Sequence, residues 1–144
     1  MDRALLDTSF LVAYLCERDV HHARAKDLFG RLRGEVVPVM TDVVFGETVT
    51  VLARRSKEWA FSFEAVVRNL RGFAERMARF AVYMLQEFDQ VVDLVLESKG
   101  ELSFNDALLV VGARQEGIGG IITFDEDFKP YLKVIDGSPS SSRR

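Results

Sequence analysis

The chain is short of the residues that most often announce a chemistry. One cysteine in 144 residues, Cys16, excludes an intrachain disulfide and points to a reducing compartment. It ends the apolar stretch LVAYLC, the setting of an inert core thiol rather than a nucleophile. Only two histidines occur, His21 and His22, adjacent and with no cysteine partner, which argues against a zinc site. Long apolar runs are missing as well. Charge interrupts each of them far short of the ~20 residues that cross a bilayer, so no membrane partner is expected. The opening MDRALLDTS brings an acid at once and lacks the basic start and cleavage site of a secretory signal. Together these absences make the cytoplasm the expected location. Excess positive charge is absent too. With 19 Lys+Arg against 22 Asp+Glu the net charge is −3, which excludes a broad basic footprint for duplex nucleic acid.

What remains is one globular domain carrying acids in apolar surroundings. A chain of this length buries a core without disulfides or structural metal. We expect that domain over residues 1–136 and a flexible tail, GSPSSSRR, over 137–144. Strands are expected at Arg3 to Asp7, Val36 to Met40, Arg79 to Met84, Gly120 to Phe124 and Tyr131 to Ile135, the last at a sheet edge. Helical periodicity covers Thr8 to Cys16, His22 to Arg33, Asp42 to about Arg55, Phe61 to Glu75 as one or two helices, Phe88 to Lys99, and Asn105 to Gln115. Gly34, Gly100 and Gly117 stop three of them. Strands alternating with helices imply a parallel sheet with helices on both faces, whose functional groups gather at the carboxyl ends of the strands.

Four acids stand where apolar residues are expected: Asp7 in ALLDTSFLVAYL, Glu47 in TDVVFGETVTVL, Asp106 in LSFNDALLVV and Asp125 in GGIITFDEDF. A lone buried carboxylate is costly, so such groups pair with a cation or face a wet cleft. Each has a bland rival. Asp7 ends a strand and starts a helix, where a plain N-cap explains it equally well. Asp106 fits the capping-box spacing that begins at Ser103. Asp125 competes with Asp127 two residues on, and one of the two suffices to solvate a turn. Glu47 is the most telling, because it falls three residues after Val44 and four before Val51, on the apolar stripe of its helix. Gly46 beside it suggests close packing at the site, and Thr123 is placed to hydrogen-bond a carboxylate.

Taken together, the four acids and their flanking patterns resemble the PIN-domain family of metal-dependent ribonucleases, in particular the VapC-type toxins of toxin–antitoxin modules. The resemblance runs from LLDTSFLVAYL through TDVVFGETVTVL and LSFNDALLV to IITFDEDF. It implies an α/β fold, a three-layer α/β/α sandwich with a central parallel sheet, and Mg²⁺ or Mn²⁺ in an acidic pocket that cleaves RNA to a 5′-phosphate and a 3′-hydroxyl. By position, Asp7, Glu47, Asp106 and Asp125 are its acidic quartet, with Ser9 and Thr123 as supporting polar positions and Asp127 as a helper. A homodimer and a cognate antitoxin follow from the same resemblance.

Phosphodiester hydrolysis needs an activated water and stabilised charge on the phosphate oxygens, which one or two Mg²⁺ held by carboxylates supply without histidine. In this reading Asp7 and Asp106 bind metal most directly, Glu47 binds metal or acts as general base, and Asp125 supports them. Arg54, Arg55 and Lys57 at the end of the Glu47 helix are solvated charges or contacts to a single-stranded RNA backbone. The alternatives are a standalone RNA-processing nuclease and, from another class, a receiver-like signalling module with a phosphoacceptor aspartate.

Overall fold

A computed structural model describes residues 2–138. Five parallel strands form one sheet: β1 (Asp2–Leu6), β2 (Val36–Thr41), β3 (Met77–Ala78), β4 (Gly120–Ile122) and β5 (Lys133–Ile135), in the order β3-β2-β1-β4-β5. Seven helices accompany it among the described residues: α1 (Thr8–Leu15), α2 (His22–Leu32), α3 (Asp42–Trp59), α4 (Phe63–Arg71), α5 (Tyr83–Gln86), α6 (Phe88–Glu97) and α7 (Phe104–Glu116). Helices α1 to α4 pack on one another, and α5 to α7 form a second group, giving the expected α/β/α layers. The central strands are apolar throughout their inner portions. Ala4, Leu5, Leu6, Ile121 and Ile122 are all buried, as a strand covered on both faces requires.

The chain moves outward from β1 to β2 and β3, then returns to lay β4 on the other side of β1. Strands β1 and β4 are therefore the point where the sheet changes direction. Crevices at such a point lie at the carboxyl ends of the strands, the usual place for a ligand. The order also decides against the receiver-like alternative, whose sheet runs 2-1-3-4-5.

Several element boundaries differ from expectation, for physical reasons. Pro38 sits inside β2 opposite Ala4, yet β3 reaches only Met40 and Thr41, so the missing N–H falls where the strand is an edge. The third strand is not Arg79–Met84 but the two residues Met77–Ala78. Beyond them the backbone is claimed by other acceptors. Asp42 Oδ1 accepts from Phe80 N–H at 2.8 Å, and Tyr83 N–H donates to the Phe80 carbonyl, which starts helix α5. Phe80 is fully buried against Gly112, where an added Cβ would stand 2.5 Å from the ring. Helix α3 runs to Trp59 rather than Arg55, because no glycine stops it until Ala60 adopts φ 53°. The fourth strand ends at Ile122, since Phe124 and Asp125 give their N–H groups to side chains. Of the expected tail, Gly137 and Ser138 are described, with Ser138 N–H on Asp136 Oδ1 at 2.8 Å, and residues 139–144 lie outside the described residues.

Candidate active site

Asp7 is the first residue past β1, and its N–H still donates to the Ile122 carbonyl of β4 at 3.1 Å. The ladder thus holds it at the sheet's reversal point. It has the extended backbone of an N-cap, but its side chain makes no capping bond. Its Oδ2 instead accepts from Thr123 Oγ1 at 2.6 Å and Ser9 Oγ at 3.1 Å. Ser9 Oγ in turn accepts the Phe124 N–H at 3.0 Å, and Thr123 Oγ1 the Asp125 N–H at 2.9 Å. Two hydroxyls therefore tie the start of α1 to the end of β4. Burial pushes the Asp7 carboxyl up, Glu47's charge adds to that, and the hydrogen bonds from Thr123, Thr8 and Ser9 resist it.

Glu47 comes from α3. The buried stripe of that helix is Val44, Thr48 and Leu52, and Glu47 borders it, half-buried, facing α1. Thr8 Oγ1 donates to Glu47 Oε1 at 2.7 Å and accepts from Thr48 Oγ1 at 3.2 Å. Gly46 has no part in close packing, because a Cβ there meets nothing within 4 Å. Asp106 lies in the first turn of α7. Ser103 is the cap, its Oγ accepting the Asp106 N–H at 3.1 Å, and the Asp106 carboxylate lines the cleft. Burial first, then the charge of Asp7, with smaller effects from Glu47 and Asp125, pushes this carboxyl up to about 7 against the pull of Ser103.

All four acids line one open cleft of about 400 Å³, together with Thr8, Ser9, Asp19, His21, Arg54, Arg55 and Ser103. Asp125 is among its walls and Asp127 is not; Asp127 is exposed and gives its N–H to Asp125 Oδ1 at 2.9 Å. Asp125 therefore also caps the short turn that follows, so the structural and site placements coexist in one residue.

This geometry can be set beside known proteins. The profile of the PIN domain family matches residues 4–131. The chain belongs to the PIN domain family. Among solved structures this PIN domain is similar to Mycobacterium tuberculosis VapC20, described as a sarcin–ricin loop cleaving toxin, at 27% identity and a TM-score of 0.69, covering 88% of this chain and 93% of that one. It shares its fold with VapBC2 from Rickettsia felis, bound to a DNA fragment from their promoter, at 15% identity and a TM-score of 0.67, covering 92% and 96%. A sequence search of curated proteins returns no match. The PIN domain here is thus VapC-type in architecture and a nuclease by class.

The donor set of this PIN domain fits a divalent cation. Among the described residues none of the four acids is in an ion pair, and burial first, with like charge added to it, raises Asp7 and Asp106, a cost that a cation relieves. No three acidic, histidine or cysteine side chains among the described residues form a ready-made coordination shell. Mg²⁺ does not require one, since it retains several waters and takes one or two carboxylates. Cys16 stays out of the chemistry: it is buried, and burial pushes its thiol up to about 11. His22 is also structural, its Nδ1 donating to the Ala13 carbonyl at 2.8 Å. Thr8 is the site residue that pattern reading missed. Its one signal was a hydroxyl directly after the first acid, which an N-cap explains as well.

Proposed function

We propose that this PIN domain is a Mg²⁺- or Mn²⁺-dependent endoribonuclease, the toxin component of a VapBC-type toxin–antitoxin system. The convergence of Asp7, Glu47, Asp106 and Asp125 on one cleft at the β1–β4 reversal carries this reading. Asp7 and Asp106 would hold the cation, with Glu47 and Asp125 completing its surroundings. When bound, the cation supplies charge stabilisation to the phosphate oxygens and activates water. The chain's own residues do the rest. Thr123 and Ser9 hold the Asp7 carboxylate in one orientation, and Thr8 holds Glu47. Glu47, which lines the cleft from α3, would take a proton from the attacking water. The raised Asp106 carboxyl must ionise to bind a cation, which couples metal uptake to proton release.

The substrate is RNA, with single-stranded or loop segments preferred, and structured ribosomal loops of the kind VapC20 cleaves belong in the first panel tested. A cognate antitoxin and a homodimer complete the proposal. Leu85 and Phe88, 83% and 51% exposed, give the α5–α6 region an apolar surface of the type a protein partner covers. Among the described residues no helix is long and apolar enough to cross a membrane, and we place the activity in the cytoplasm. The test is incubation of the purified protein with transfer, messenger and ribosomal RNA and a sarcin–ricin loop oligonucleotide, in Mg²⁺ and in Mn²⁺. Cleavage that chelator and Asp7→Asn both abolish is expected; no cleavage of any RNA in either metal sinks the proposal.

A further inference from the structure

A cleft floored by four carboxylates repels the phosphates of the polymer it is meant to cut. Something along its rim must hold the strand on either side of the scissile bond. Two residues stand out because they line the cleft with side-chain polar groups that nothing else among the described residues engages.

The first is Arg54. It follows Glu47 by seven residues on α3, two helical turns, with Val51 between them on the same face. The rise of an α-helix puts it roughly 10 Å along the axis from Glu47. That distance suits a neighbouring phosphate, not the one under attack. Arg54 is exposed and has no ion-pair or hydrogen-bond partner among the described residues. The adjacent Arg55 is already committed, paired with Glu58 at 2.9 Å and resting on the Trp59 ring at 5.1 Å.

The second is His21, on the loop between α1 and α2. Its ring stacks on Phe124 with centroids 4.8 Å apart and planes 29° apart, while the Arg24 guanidinium lies 4.9 Å from the same Phe124 ring. Asp19 Oδ1 pins the His21 backbone N–H at 2.8 Å. The ring nitrogens of His21 have no partner among the described residues, unlike those of His22. A flat ring fixed from behind, beside Asp125, is a platform on which an unpaired base can stack.

We propose that Arg54 and His21 form the substrate-holding rim of this cleft, Arg54 taking the phosphate next to the scissile one and His21 stacking a base of single-stranded RNA. The inference rests on the nuclease reading of the same cleft and adds the residues that grip the strand. It makes the strand's single-strandedness a requirement of the site, because a base inside a duplex offers no free face to His21.

Equilibrium binding of a fluorescent single-stranded RNA, with Ca²⁺ in place of Mg²⁺ or Mn²⁺ and over a salt series, separates the two claims. Arg54→Ala is expected to weaken binding and flatten the plot of log K against log salt by roughly 0.7, the contribution of one single-strand phosphate contact. His21→Ala is expected to weaken binding roughly 5- to 100-fold with the slope unchanged, and His21→Tyr to restore it by keeping the ring. Arg114→Ala, at the far end of α7, serves as the charge control and should change neither quantity. Unaltered affinity and slope in Arg54→Ala, or His21→Tyr as weak as His21→Ala, overturns the rim while the wild type still binds and cleaves RNA. A wild type that neither binds nor cleaves RNA overturns the nuclease reading and the rim together.

Discussion

Two aspartates follow neighbouring parallel strands and open neighbouring helices, Asp7 after β1 and Asp42 after β2, and their carboxylates meet different partners. Asp42 accepts from the backbone N–H groups of Val43, Phe80 and Ala81, so its charge is spent on fastening the 79–82 corner to the start of α3. Asp7 meets side-chain hydroxyls and other carboxylates. A carboxylate saturated by backbone donors is structural. One held by hydroxyls among like charges stores repulsion that only a cation or a proton relieves, and that is what a catalytic acid looks like before its ligand arrives.

The sharpest way to break this comparison is to neutralise each residue in turn. Asp7→Asn should cost roughly 10³-fold or more in RNA cleavage, the scale seen when a group essential to catalysis is removed, with the fold retained. Asp106→Asn should match it. Asp42→Ala should do the reverse: it removes the acceptor of the part-buried Val43 and Phe80 N–H groups and costs about 1–3 kcal/mol of stability, with cleavage per folded molecule unchanged. Circular dichroism melting beside a cleavage assay reads both. Equal losses of activity in Asp7→Asn and Asp42→Ala would erase the distinction.

A smaller effect tests the hydroxyls. Thr123→Val keeps shape and burial but removes the 2.6 Å bond to Asp7 and the acceptor for the Asp125 N–H. Losing a group that orients a metal ligand typically costs about 10–100-fold in metal affinity or activity. We expect that range here, visible as a shifted Mn²⁺ titration of cleavage. An unshifted titration would show that Asp7 needs no help from Thr123.

The sheet, most helices and the four acids were legible because each reflects burial. Apolar runs bounded by glycine mark the strands and helix ends, and an acid inside such a run stands out. What escaped reading depends on contacts distant in sequence. The Arg79–Met84 segment has strand-like composition, and nothing local reveals that Asp42, 38 residues away, takes the Phe80 N–H. Thr8 reads as a cap, and Asp7 reads equally as a cap or a site acid, because capping and site-building use the same residue types at the same helix position. Only the partner, Glu47 across the cleft or Thr123 just past β4, distinguishes them. The choice between Asp125 and Asp127 had the same character, since both precede a turn and only one faces the cleft.

The cost of holding a buried acid among like charges should also be measurable without any RNA. Asp106 is raised from 3.8 to about 7, so its neutral form favours the fold. That stability is present in full below the unfolded value near 3.8 and is lost as pH rises through about 7. The metal-free protein should therefore melt a few degrees lower at pH 8 than Asp106→Asn does, with the two converging near pH 4. Mg²⁺ or Mn²⁺ at pH 8 should raise the wild type and leave the variant nearly unmoved. Parallel pH profiles for the two proteins would mean that neither burial nor neighbouring charge disfavours the ionised Asp106.

The smallest expected effect separates Asp125 from Asp127. Both are acids in TFDEDF, and Asp127 is pushed up chiefly by the charge of Asp125. Asp127 nevertheless stands outside the cleft and is exposed to solvent, and it gives its backbone N–H to Asp125 Oδ1. Asp127→Asn keeps that N–H, so the turn survives, and an exposed polar exchange changes stability by no more than about 0.5 kcal/mol, so cleavage should stay close to the parent's. Asp125→Asn keeps an acceptor for the turn but removes one of the carboxylates facing the cleft. It should lower cleavage by roughly 10–100-fold if Asp125 orients the metal's surroundings and by more if it is itself a ligand. A tenfold loss in Asp127→Asn would move the fourth acid two residues along the chain and require the 125–128 turn to re-form around a different carboxylate.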